Sequence, residues 1–175
     1  MVKKRALMIG RFQPFHNGHL SVIKEYSDEY EEIIIGIGSA QYGYTEDNPF
    51  TSGERYYMIR SSLLAEGIHN FSIVPIENLN RYSMWVSQVE TICPRFDVVL
   101  TNNNITKRLF TESGYEVKNT KLYGRNVYSG SIIRNKIKNG DEWKSLVPTP
   151  VYNFLQVINV KERLVDVSGR ETVYS

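Results

Sequence analysis

Cysteine is almost missing from this chain of 175 residues: Cys93 stands alone, which excludes an internal disulfide framework and any cysteine-rich zinc module. A charge excess is missing as well. Lys and Arg number 21 against 19 Asp and Glu, a net of +2, so no basic surplus advertises nucleic acid and none is expected as a partner. Apolar runs stop at about five residues, where a bilayer span needs ~20, so no membrane association is expected. Lys3, Lys4 and Arg5 open the chain, yet Ala6–Ile9 is too short for a signal-peptide core. Repeats, low-complexity tracts and linkers are missing too. What is there is ordinary for a globular protein: 41% apolar and 23% charged residues. A chain of this length buries about 70% of its unfolded surface. The expectation is a soluble, cytoplasmic protein with a single domain over 1–165 and a loosely held tail over 166–175.

Apolar runs alternate with stretches of helical period. Ala6-Leu7-Met8-Ile9 reads as a buried strand closed by Gly10, and a helix follows over 19–26. Ile33 to Gly38 is a second buried strand, β-branched wherever it is not glycine. Thr51-Ser52-Gly53-Glu54 is a capping box that opens a helix reaching about Glu66. Phe71–Ile76 is a third strand, with Pro75 marking an end or an edge. A helix over 83–93 places Trp85, Val89 and Ile92 on one face. Short strands are expected at 98–100 and 115–117 around a helix over 105–110. A helix over 131–138 stops at Gly140, and Thr149-Pro150 starts another that runs through Ile158. This alternation calls for an α/β doubly wound parallel sheet with C-terminal helices. Such folds bind ligands beyond the carboxyl ends of their strands, here loops 10–19, 38–51, 76–83, 101–104 and 123–131.

The first of these loops carries two of the chain's three histidines, His16 and His19. As capping or surface residues they would carry no chemistry. As metal ligands they would need further donors, and His69 and Cys93 are distant in sequence. Handling of polyphosphate fits best. A strand that stops at Gly10 and feeds a helix N-terminus gathers free N–H groups and the positive dipole end, imidazoles donate to phosphoryl oxygens, and Arg11 adds a fixed charge. Near the other end, Ser129-Gly130-Ser131-Ile132-Ile133-Arg134 offers a second loop of this kind. Ser129 or Ser131 caps a helix, Gly130 allows close approach, and Arg134, read as lying on the first turn, opposes the dipole unless an anion sits between.

With these residues in view the chain resembles a known family. His16-Asn17-Gly18-His19 is the HxGH motif, and residues 129–134 are similar to the (S/T)-G-T-x-(I/V)-R motif, of the nucleotidyltransferase superfamily. More narrowly, residues 10–20, Ile37–Gln41, Asn48–Arg55, Ser83–Val86 and Gly114–Val117 resemble archaeal-type nicotinamide mononucleotide adenylyltransferases, a likeness covering about residues 5–165. The resemblance implies a Rossmann-like nucleotidyltransferase fold. It implies a reaction in which ATP and nicotinamide mononucleotide give NAD and pyrophosphate, with Mg²⁺ carried on the phosphates and not by protein side chains. It implies catalysis by His16, His19, Arg11 and Arg134, an ATP site that adds Gly10, Phe12, Ser129, Gly130 and Ser131, and a mononucleotide site of Trp85, Ser39 and Tyr82. It also implies a homo-oligomer, commonly a hexamer.

Three departures from the pattern stand out. Asp47-Asn48-Pro49 replaces an Arg-Asp-Pro stretch, so the phosphate-binding arginine is missing or Arg125 or Arg55 substitutes for it; Ser131 replaces Thr; and Tyr82 stands where some relatives carry an amide. The alternatives are an adenylyltransferase of the same superfamily acting on nicotinate mononucleotide or phosphopantetheine, and a nucleotide-sensing module without activity.

Overall fold

The computed structural model describes residues 4–121 and 127–169. Five strands form one sheet: β1 (Arg5–Gly10), β2 (Glu32–Ile37), β3 (Phe71–Pro75), β4 (Val98–Leu100) and β5 (Glu116–Lys118). Every pairing is parallel and the order is β3-β2-β1-β4-β5. The order reverses between β1 and β4, so their carboxyl ends make the crevice of a doubly wound sheet. Pro75 ends β3 at one edge, where its missing N–H costs no ladder bond.

Alternation along the strands divides the apolar residues between two cores. Ala6, Ile33, Ile35, Ile37, Val98 and Leu100 face one side, while Leu7, Ile34 and Val99 face the other. The first side is covered by α1 (Asn17–Ser27), α2 (Ser52–Ala65), α5 (Gly130–Asn139), α6 (Thr149–Val157) and α7 (Val160–Asp166). The second carries α3 (Tyr82–Ile92) and α4 (Asn104–Glu112).

Local signals in the sequence set several of these ends. Thr51 and Glu54 close the capping box of α2, with Thr51 N donating to Glu54 Oε2 (2.9 Å) and Glu54 N donating to Thr51 Oγ1 (3.2 Å). Arg163 of α7 reaches the same Glu54, 2.6 Å from its Oε1, and ties the C-terminal helices to α2. Gly140 stops α5 with φ +79°, the left-handed cap that glycine adopts without a steric cost.

Three expectations need correction. The C-terminal helix does not run through Ile158: α6 ends at Val157, and Asn159 at φ +50° turns the chain into a separate α7. Ile92 does not share the buried stripe of Val89; it is 42% exposed at the end of α3. The strand expected at 115–117 lies one residue later, because Tyr115 closes the α4 turn through its N–H to the Phe110 carbonyl. Residues 170–175 of the expected tail lie outside the described residues, and α7 itself extends to Asp166.

Candidate active site

The loop after β1 is held from two directions. Gln13 is 4% exposed and forms a reciprocal pair with Phe50: its Nε2 donates to the Phe50 carbonyl (2.8 Å), and Phe50 N donates to its Oε1 (2.9 Å). From α5, Arg134 donates through Nη1 to the Gln13 carbonyl (2.7 Å). Gly130 allows this approach, since a Cβ there would lie 2.6 Å from the same carbonyl oxygen. The closeness expected of Gly130 is thus used by the protein's own backbone. Arg134 is the fifth residue of α5, not part of its first turn, and its side chain runs back toward the helix N-terminus. Burial lowers its pKa, as does Arg11; Asp47 and Glu46 oppose this, which puts both carboxylates in the field of the two arginines. Ser129 takes the N-cap position without a capping bond, and its hydroxyl pairs with that of Ser131 at 2.9 Å.

His16 and His19 do cap a helix, and they do it reciprocally. His16 is the N-cap of α1; its Nδ1 accepts from His19 N (3.3 Å), while His19 Nδ1 accepts from His16 N (3.3 Å). The rings stack with centroids 3.5 Å apart and 15° between planes. Two charged imidazoles would repel at that separation, and burial pushes the pKa of His16 down to about 4. His19 lies well below the ordinary value for the same reason, with a further push from His16. Both rings are therefore neutral near pH 7. Since each Nδ1 accepts a hydrogen bond, the proton is assigned to Nε2, which leaves each ring with an N–H donor outside the cap. The capping reading and the phosphate-donor reading of these histidines describe different nitrogens of the same rings.

Two cavities flank this loop at the sheet's carboxyl edge. One, about 290 Å³, is lined by His16, His19, Thr101, Asn103, Lys121 and Tyr128 among others. The other, about 410 Å³, is lined by Arg11, Ser39, Asn78, Arg81, Tyr82 and Trp85 among others, and Asn103 also borders it. These sizes are those of ligand sites. Trp85 is half-buried and joins two roles, its ring edge-to-face with Phe110 at 5.6 Å on the core side and its remaining surface on the larger cavity. Tyr82 is 64% exposed at the start of α3. Ser39 sits at φ +51° and Phe12 at φ +51°, both in the left-handed region. Phe12 is buried, its ring 4.8 Å from that of His19, and Gly10 leaves room for it, since a Cβ there would lie 2.9 Å from the ring.

The structure thus brings His16 and His19 to one cavity and Arg11, Ser39, Tyr82 and Trp85 to the other, with Arg134 and Gly130 behind the loop between them. Arg55 does not stand in for the absent phosphate arginine: it is fully buried and spends its donors on carbonyl groups. Arg125, the other substitute, lies outside the described residues. Thr101, Asn103, Tyr128, Asn78 and Arg81 lie in loops expected to bind ligand, although sequence reasoning singles out none of them as a site residue; Lys121 lies outside those loops, and its only signal is a place shortly after the end of a strand. Among the described residues no group of three or more His, Cys, Asp or Glu side chains is placed to hold a metal ion, and no helix is long and apolar enough to cross a membrane.

Comparison with known proteins assigns the chain to a family. Residues 7–136 match the cytidylyltransferase-like family. The chain is 48% identical over 164 residues to the nicotinamide-nucleotide adenylyltransferase of Thermoplasma volcanium, covering 94% of this chain and 92% of that one. It is 51% identical over 162 residues to the protein of the same name from Methanococcus aeolicus, covering 91% and 92%. Among solved structures, a bifunctional NMN adenylyltransferase/ADP ribose pyrophosphatase from Francisella tularensis, complexed with AMP and a manganese ion, superposes with a TM-score of 0.77 at 25% identity. That match covers 95% of this chain and 52% of the other, so this chain spans about half of the bifunctional protein. The cytidylyltransferase-like match over most of the chain and the identity to full-length archaeal relatives have one consequence: this chain belongs to the nicotinamide-nucleotide adenylyltransferase family of nucleotidyltransferases.

Proposed function

We propose that this protein transfers the adenylyl group of ATP to nicotinamide mononucleotide, releasing pyrophosphate and forming NAD. The observation that carries the proposal is the pair of cavities meeting at the β1 loop, one lined by two neutral imidazoles and the other by a half-buried tryptophan. On this reading ATP lies along the histidine side and the mononucleotide on the Trp85 side. An oxygen of the mononucleotide's phosphate attacks the α-phosphorus, and the bond from that phosphorus to the bridging oxygen breaks, its electron pair leaving with pyrophosphate. The Nε2–H groups of His16 and His19 donate to phosphoryl oxygens, which supports charge without adding a proton to balance. Arg11 on the loop between the cavities and Arg134 behind it add positive charge that stabilises the leaving pyrophosphate, with Ser129, Gly130 and Ser131 at the N-terminus of α5 beside Arg134. The indole face of Trp85 suits a cationic pyridinium ring by stacking and by cation–π attraction. Ser39 and Tyr82 border the acceptor.

Mg²⁺ would accompany the triphosphate and neutralise charge there. The protein is proposed to work in the cytoplasm as a homo-oligomer, with residues 1–165 as one catalytic domain. Incubation with ATP and Mg²⁺, divided between nicotinamide and nicotinate mononucleotides, tests the reading. NAD and pyrophosphate formed in equal amounts are expected. Folded protein that makes neither dinucleotide refutes it.

A further inference from the structure

We infer that Arg55 is a positioning residue whose buried guanidinium holds the phosphate-facing loop and the acceptor-facing loop in one fixed arrangement. The inference rests on the adenylyl-transfer reading for its consequence, but its geometry stands alone. Arg55 belongs to the first turn of α2 and is 0% exposed. Its five N–H donors meet five backbone carbonyls. Nε donates to Thr51 (3.2 Å), Nη1 to Arg11 (2.9 Å) and Gly38 (2.8 Å), and Nη2 to Ser39 (3.1 Å) and Tyr42 (3.2 Å). A guanidinium has this many donors in a rigid fork and no other side chain can match them. Among the described residues no ion pair engages Arg55, and burial lowers its pKa to about 10, still cationic at neutral pH.

Three of the five carbonyls it holds belong to residues that border the larger cavity, Arg11, Gly38 and Ser39. Two residues with positive φ, Phe12 and Ser39, are each one of these or its neighbour. Left-handed backbone at residues other than glycine persists where surrounding contacts over-determine it, and the fork supplies those contacts on both loops at once. Removing it frees two segments that approach the substrates from different strands.

Arg55→Lys keeps the charge but has three donors without the fork. Leu155→Ala, in the buried face of α6, serves as a control for lost stability alone. Each protein is assayed at a temperature equally far below its own Tm, with ATP and nicotinamide mononucleotide varied in turn. A fall in kcat/KM of about tenfold or more is expected for Arg55→Lys, with KM raised for both substrates and little change for Leu155→Ala. Equal losses in the two variants, or a loss below twofold in Arg55→Lys, overturn the inference. Hydrogen exchange in the unaltered protein decides the matter if Arg55→Lys does not fold. The amides of Ala40 and Tyr42, bonded to the Ile76 and Ser39 carbonyls, are expected to exchange as slowly as those of β2, and exchange at the rate of an open loop overturns it. An unaltered protein that makes no NAD refutes the reaction and leaves this loop measurement unaffected.

Discussion

Acid should unfold this protein by charging the pair of histidines on which α1 begins. His16 is 7% exposed and its pKa lies at about 4 in the folded chain, against about 6.5 when unfolded. The unfolded state binds the extra proton first, so the stability of the neutral ring is present above pH 6.5 and is lost as pH falls toward 4. For a single site with these two values the loss between pH 7 and pH 5 is about 2 kcal/mol. His19 shifts in the same direction and steepens the slope. The assay is urea unfolding followed by circular dichroism at intervals from pH 8 to pH 5, on the unaltered protein and on His16→Asn. Asparagine caps helices well and does not titrate here. The variant's stability should fall by about 2 kcal/mol less over this window. Parallel curves would show that His16 is charged or solvated in the folded protein, and the assignment of its proton to Nε2 would fall with them.

Two further substitutions test other contacts. Trp85→Ala should raise KM for the mononucleotide about tenfold or more while leaving KM for ATP nearly unchanged, and Trp85→Phe should recover much of the loss; steady-state kinetics on both substrates separate these outcomes. Gly130→Ala should displace α5 from the β1 loop, because the new methyl would lie 2.6 Å from the Gln13 carbonyl oxygen, and a melt lowered by several degrees checks it.

Local chemistry was legible in the sequence, and non-local chemistry was not. The capping box of Thr51 and Glu54 and the stop at Gly140 depend on residues a few positions apart, so the pattern and the structure coincide. The apolar runs of β2 and β4 became strands because they are buried on both faces of the sheet. The break between α6 and α7 was missed because Asn159 makes the turn with neither glycine nor proline to mark it. The inward-facing role of Arg55, one of the alternatives for the missing phosphate arginine, is not legible in the sequence for a related reason. Its partners are carbonyls brought in from residues 11, 38, 39 and 42, and no spacing announces an arginine that faces inward. The two histidines were legible as a motif, but the division of labour between Nδ1 and Nε2 needed the backbone around them.

The bond from Arg134 to the Gln13 carbonyl spans 121 positions of the chain. A nascent chain that has formed β1, β2 and β3 has most of its central sheet and none of this closure, whose partner is synthesised far later. Closing so long a loop costs entropy that only the assembled sheet can offset. Nucleotide affinity should therefore appear late in refolding, after the sheet's circular dichroism has recovered, and a bound nucleotide would report the completed molecule.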